Sequence, residues 1–190
     1  CEKVAPVLHL PFQAGNDRVL KVMNRRHTRA EYLEKIKALK ALIPDIVLTS
    51  DIIVGFPGET TPEFEETLSL IEEVRFDALF TFIFSPRVGT PAAKMEDPMP
   101  MAEKKANFQR LVDAQNAISA EKHAAYIGKT LRCLVDGVCQ EEGYALTART
   151  PGNRLVRLEA GEESLIGTYQ DVTVTGANTW SLWGRLSVGG

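Results

Sequence analysis

The stretch DIIVGFPGET, residues 51–60, decides how the rest of the chain is read. An apolar run opens on an acid, turns through Gly-Phe-Pro-Gly and enters a helix-starting Glu-Thr-Thr-Pro. Strand, glycine turn and helix in that order suggest a phosphate cradle. A phosphate loop, however, places Lys and then Ser or Thr after its last glycine. Here Glu59 follows Gly58, and its charge would repel a phosphate. The triphosphate reading fails, so the acid and the turn need another explanation.

Working outward, the pattern is strand, helix, strand, helix, strand. Val7–Leu10 is a short apolar run stopped by Pro11, and Asn16 or Asp17 is suited to cap a short helix through Met23. Thr28 with Glu31 three residues on forms a capping box for a longer helix, whose apolar stripe is Tyr32, Ile36, Leu39 and Ile43 and whose stop is Pro44. Residues 46–54 form a second strand. Thr60 or Thr61 caps the next helix, with Pro62 in its first turn and Phe64, Leu68 and Ile71 on its buried side. Residues 78–84, ALFTFIF, form a third strand, apolar on both faces as buried parallel strands are. This spacing predicts right-handed βαβ units around a parallel sheet.

A Pro/Gly loop, SPRVGTPAAKMEDPMP, leads to a long helix over about 102–126. From Lys129 onward the runs shorten and alternate: TLRCLVDGV, YALTART, RLVRLEA, QDVTVTGA and SLWGRLSV, separated by Gly, Asn and Pro. They predict a small antiparallel barrel. The fold class is therefore α/β, three parallel strands with helices, followed by a small β-barrel. The boundary falls at 126–128, giving domains 1–126 and 127–190.

The 190 residues are 44% hydrophobic and 25% charged, with a formal net charge of -3, an ordinary globular composition without the electrostatic footprint of a nucleic-acid binder. No apolar run approaches the roughly 20 residues of a membrane helix, and the start lacks the pattern of a secretion signal. Cys1, Cys133 and Cys139 are too few and too scattered for a disulfide framework or a CxxC metal site, so they read as structural thiols in a reducing cytoplasm. A chain that opens on Cys and enters an apolar run within a few residues reads as part of a longer protein.

In parallel α/β folds ligands gather at the carboxyl ends of the strands. Those ends hold Gln13–Asn16, Asp51–Glu59 and Ser85–Thr90. Alternation puts Thr49, Asp51 and Ile53 on one face of the second strand. A buried Asp51 needs a donor. A ligand diol would supply one; a salt-bridging Arg or a neighbouring loop would also. Arg25 and Arg26 read as a solvated pair, His9, His27 and His123 as structural or surface residues, and Phe80, Phe82 and Phe84 as core packing.

The segments HLPFQAGNDRVLKVMNRRHTRAEY, TSDIIVGFPGETTPEFEET and FSPRVGTPAAKM together resemble the radical S-adenosylmethionine methylthiotransferases, nearest to the MiaB type. The later segments IGKTLRCLVDG, ALTARTPGNRLVRL, LIGTYQDVTVT and SLWGRL resemble the TRAM domain of those enzymes. The resemblance covers nearly the whole chain. It implies that S-adenosylmethionine is the cofactor: Gln13 at the ribose, Arg25 at the methionyl carboxylate, Asp51 on the ribose hydroxyls, Ile53 against adenine, and Phe84 near adenine or the substrate entrance.

The same resemblance implies [4Fe-4S] clusters whose CxxxCxxC ligands are absent here, so this chain supplies no catalytic and no metal residue and is inactive alone. It implies a tRNA anticodon arm as partner, with N6-isopentenyladenosine converted to its 2-methylthio form. Relatives acting on threonylcarbamoyl-adenosine or on a ribosomal-protein aspartate, and a non-catalytic TRAM binding module, are the alternatives. Arg149, Arg154 and Arg157 are candidate RNA contacts, although residues 127–190 carry six cationic against seven acidic side chains. Trp180 and Trp183 would stack bases or pack internally. Without earlier barrel strands, the edge at Val7–Leu10 predicts dimerisation or strand exchange.

Overall fold

The computed structural model describes residues 4–187. The chain forms two compact units, one of residues 8–118 and one that takes in the segment up to Val7 together with Ser119 onward. The first contains β1 (Val7–His9), α1 (Asp17–Val22), α2 (Arg29–Leu42), β2 (Val47–Val54), α3 (Thr61–Val74), β3 (Ala78–Ile83) and most of α4 (Met101–Ala124).

Helix starts follow local chemistry. The Asn16 side chain accepts the N–H groups of Arg18 and Val19, and Thr28 and Glu31 exchange hydrogen bonds across the first turn of α2. At α3, the Glu63 carboxylate accepts both the N–H and the hydroxyl of Thr60 at 2.8 Å. The α3 stripe differs from the expected one: Phe64, Thr67, Leu70, Ile71 and Val74 are buried, and Leu68 is only half-buried.

The sheet order is β1-β2-β3, with β2 and β3 parallel and Asp51 opposite Phe80, Ile53 opposite Phe82. Parallel pairing continues past β1 as a single bridge between Gln13 and Ile52. One face carries Leu48, Ile52 and Val54, buried with Tyr32, Ile36, Phe64, Ile71 and Leu111 of the helices. Ser50 belongs to that face too, and its hydroxyl is satisfied by the Leu10 carbonyl at 2.8 Å. The opposite face holds Thr49, Asp51, Ile53, Phe80 and Phe82. Here core packing is not observed: Phe80 and Phe82 are each 55% exposed. Neither ring joins the cores that the helices build with the sheet.

The second unit is a closed barrel ordered β4 (Thr130–Val138), β5 (Leu146–Arg149), β6 (Leu155–Leu158), β8 (Leu182–Leu186), β7 (Tyr169–Ala177). It is mixed: β6 and β8 pair in parallel, and all the other pairs are antiparallel. Alternation along each strand buries Cys133, Val135, Leu146, Ala148, Val156, Leu158, Val172, Val174 and Leu182 inside. Burial pushes the Cys133 thiol up to about 11, which keeps it protonated and unreactive.

The loop after β1 is anchored by a close backbone approach. Gly15 N–H donates to the Thr67 hydroxyl at 2.8 Å, and a Cβ on Gly15 would lie 2.5 Å from Thr67 Cα. We predict that Gly15→Ala costs about 2 kcal/mol or more, because backbone on backbone cannot relax as a side chain can. Urea denaturation measures it, and an unchanged midpoint would rule out this packing.

Candidate functional site

The strand ends of the first unit converge. Gln13 N–H donates to the Asp51 carbonyl at 3.0 Å, and Ile53 N–H donates to the Gln13 carbonyl at 3.0 Å. This places Gln13 beside the second half of β2, with Asp51 and Ile53 on the open face. Gln13 holds φ at +72°, a conformation unusual for a residue with a side chain and one that clusters at functional positions. It is 6% exposed, yet its amide takes no hydrogen bond among the described residues. Its amide nitrogen and oxygen are not sealed from solvent, so a polar ligand can reach them.

Asp51 has a partner that the sequence did not suggest. His9 Nε2 lies 3.4 Å from the Asp51 carboxylate, while His9 Nδ1 lies 2.9 Å from the Thr49 hydroxyl and its ring meets Phe80 edge to face at 5.7 Å. His9 is thereby fixed on three sides and orients a carboxylate that is still 30% exposed to a ligand. The sequence marks His9 only as a strand residue two positions before Pro11, without any spacing signal.

Behind the face, Ala14, Val19, Leu20 and Phe56 form a small core with Met23, Phe84 and Ala92 around it. Phe84 packs edge to face on Phe56 at 5.1 Å, and its N–H donates to the Val54 carbonyl at 2.9 Å. Ile53 and Phe84 thus stand at neighbouring strand ends. Arg25 is exposed beyond the end of α1, and no contact ties its guanidinium to Gln13, Asp51 or Ile53 among the described residues.

The turn Gly55–Glu59 is held from several sides. Gly55 N–H donates to the Glu59 carboxylate at 2.6 Å, and Arg18 donates to the Gly58 carbonyl at 2.6 Å while pairing with Glu63. Hydrogen bonding to Arg18 draws Glu63 down to about 2. Glu59 moves the other way: at 3% exposure, desolvation pushes it up to about 7. The Lys104 ammonium, from α4, donates to the Gly55 carbonyl at 2.7 Å. Nothing in the run MAEKKANF separates Lys104 from its neighbour Lys105, so sequence reasoning missed it.

On the barrel, register puts Arg149 and Arg157 on the same outer face of β5 and β6. Arg149 pairs with Asp136 at 2.8 Å and Arg157 with Glu141 at 2.5 Å, whereas Arg154 lies 4.9 Å over the Tyr126 ring. Trp180 is largely exposed and Trp183 half-buried. Among the described residues there is no group of three or more His, Cys, Asp or Glu side chains able to hold a metal. Cys133 is sealed in the barrel core, Cys139 stands apart from it, and Cys1 lies outside the described residues, so these thiols do not fit a [4Fe-4S] cluster. No helix of the described residues is long and apolar enough to cross a membrane.

Comparison with known proteins agrees with this geometry. Residues 2–71 match the Radical SAM superfamily model and residues 124–187 the TRAM domain model. The chain belongs to the radical SAM superfamily and carries a TRAM domain. It is 50% identical over 98% of its length to the tRNA-2-methylthio-N(6)-dimethylallyladenosine synthase of Acetivibrio thermocellus, and 48% identical over 97% to that of Thermoanaerobacter sp.. The synthase of Geobacillus thermodenitrificans is 49% identical over 95% of the chain. Within the superfamily the chain is similar to these synthases. It spans 38%, 39% and 34% of their respective lengths.

The raised Glu59 has a thermodynamic sign. The folded protein holds a proton that the unfolded chain releases near 4.5, so this group's contribution is complete at low pH and is lost as pH rises through about 7. We predict that Glu59→Gln gains stability over the parent between pH 5 and 8, with little difference below pH 4.5. Parallel curves in chemical denaturation across that range would contradict a buried carboxyl.

Proposed function

We propose that this chain provides the nucleoside-binding strand ends and the RNA-binding module of a tRNA methylthiotransferase that converts N6-dimethylallyladenosine, next to the anticodon, to its 2-methylthio form. The observation that carries this reading is that Gln13 is bonded by its backbone into β2 between Asp51 and Ile53, whose side chains share an open face where the Asp51 carboxylate is partly exposed. The names of the relatives supply the substrate, and their match over nearly the whole chain supports the transfer.

S-adenosylmethionine, when bound, would supply the radical chemistry that removes hydrogen from the adenine. The residues here bind and orient. Asp51 accepts the hydroxyls of the ribose diol, held in register by His9. Gln13 donates to the ribose, and Ile53 covers one face of the cofactor's adenine, with Phe84 at its edge. Arg25, exposed beyond the end of α1, closes on the methionyl carboxylate, for which a guanidinium fork is suited.

The TRAM barrel holds RNA at the anticodon arm through Arg149, Arg154 and Arg157, and work on tRNA places the protein in the cytoplasm. This reading assigns the β1 edge to a neighbouring barrel strand in place of dimerisation or strand exchange.

The test uses the full-length protein containing residues 1–190. Asp51→Ala should weaken S-adenosylmethionine binding about tenfold to a hundredfold, the loss of charge-assisted hydrogen bonds. Isothermal titration measures this beside Gln13→Ala and Arg25→Ala. Mass spectrometry of tRNA from a strain complemented with each variant then reads the modification. Equal affinity in parent and Asp51→Ala would remove the strand ends from the cofactor site.

A further inference from the structure

We propose that Lys104 is a positioning residue for the cofactor site, fixing the ends of β2 and β3 and the segment between β3 and α4 with one ammonium group. The inference rests on the strand ends being that site.

Lys104 is 2% exposed, and burying a lone ammonium is costly unless it is paired. Its Nζ donates to the Gly55 carbonyl at 2.7 Å, pairs with Asp97 from the segment 84–100, and stands 5.9 Å from the centre of the Phe84 ring. Two separate stretches, the end of β2 and the segment 84–100, meet on one atom. Both carry residues assigned to the adenine: Ile53 lies two positions before Gly55, and Phe84 is itself a partner.

The stem is fitted as closely as the head. A Cβ on Gly55 would fall 2.6 Å from both Cγ and Cδ of Lys104, so the lysine occupies the space that the glycine leaves. Gly55, at φ +70°, therefore has both backbone polar groups claimed by charged side chains, N–H by Glu59 and C=O by Lys104.

Stability alone does not call for this arrangement. A well-packed apolar residue can replace a buried ion pair without loss in many proteins, whereas a buried, directed charge joins one backbone carbonyl to a carboxylate of a second segment at one point. Lys104 touches none of the residues assigned to the cofactor except Phe84, so it acts through position.

The full-length protein is compared as parent, Lys104→Met and Asp97→Asn, with S-adenosylhomocysteine as the equilibrium probe well below each melting temperature. Hydrogen exchange of residues 55–59 and 84–98 is followed without ligand. Lys104→Met should bind about tenfold or more weakly, the size expected for loss of a hydrogen bond to a charged group, with faster exchange in both segments. Asp97→Asn should lose less affinity and quicken exchange in 84–98 alone.

A lower melting temperature with unchanged affinity and exchange would reduce Lys104 to a stabilising residue and overturn the proposal. If Lys104→Met does not fold, Asp97→Asn decides, and unchanged affinity with unchanged exchange overturns it. A parent that binds no S-adenosylhomocysteine sinks the cofactor reading and this inference with it. A parent that binds equally to Lys104→Met sinks this one only.

Discussion

A strand that bends away at the end of a sheet leaves a peptide unit without a neighbour to bond, and at Gly55 that unit is buried. Both of its polar groups must still be paired. The chain solves this with side chains: Glu59 from the turn accepts the N–H, and Lys104 from α4 donates to the carbonyl. Each solution constrains others. Glu59 must be buried to reach Gly55, which raises its proton affinity towards neutrality. Lys104 must be buried as well, which brings Asp97 and Phe84 with it. Only glycine leaves room for the lysine stem. The turn that looked like a failed phosphate cradle is a strand terminus wired into its surroundings.

The sheet that ends there has two unlike faces. One is apolar and covered by helices, with Ser50 satisfied locally. The other mixes His9, Thr49 and Asp51 with Ile53, Phe80 and Phe82, and two of its phenylalanines are more than half exposed. Exposed aromatic surface of this kind marks a place that something else covers. A flat apolar platform beside an oriented carboxylate matches a nucleoside, which has an aromatic base at one end and a diol at the other. A plain core would not need the carboxylate, and a phosphate would not tolerate it.

Features with local causes were legible in the sequence. Asn16, Thr28 and Thr60 cap the helices they appear to cap, and the alternation after Lys129 marks a barrel. Asp51 and Ile53 sharing a face follows from the period of a strand. Features made by distant parts of the chain were not legible. His9 finds Asp51 across 42 positions of sequence, and Lys104 finds Gly55 across 49. The exposure of Phe80 and Phe82 was not legible because an apolar run does not say which face of a strand the helices cover. The parallel β6–β8 pair escaped notice because alternation fixes faces and leaves strand order open.

The barrel poses a separate electrostatic problem. Phosphate contacts normally dominate RNA affinity through released counterions. Here Arg149 and Arg157 share an outer face but are held by Asp136 and Glu141, and Arg132 faces Asp171. An arginine already matched to a surface carboxylate offers a phosphate less than a free one does, since the carboxylate must be displaced or its repulsion accepted. These pairs are exposed and individually weak, so an RNA phosphate can compete for them. The net charge of the segment nevertheless keeps unspecific attraction low. Under the proposed function, a module built this way would contribute little binding to arbitrary RNA and would rely on a fitted surface, with Arg154 on the Tyr126 ring and the exposed Trp180 as its aromatic elements. Selectivity between RNAs would then come from shape and stacking, which salt weakens far less than it weakens a basic patch.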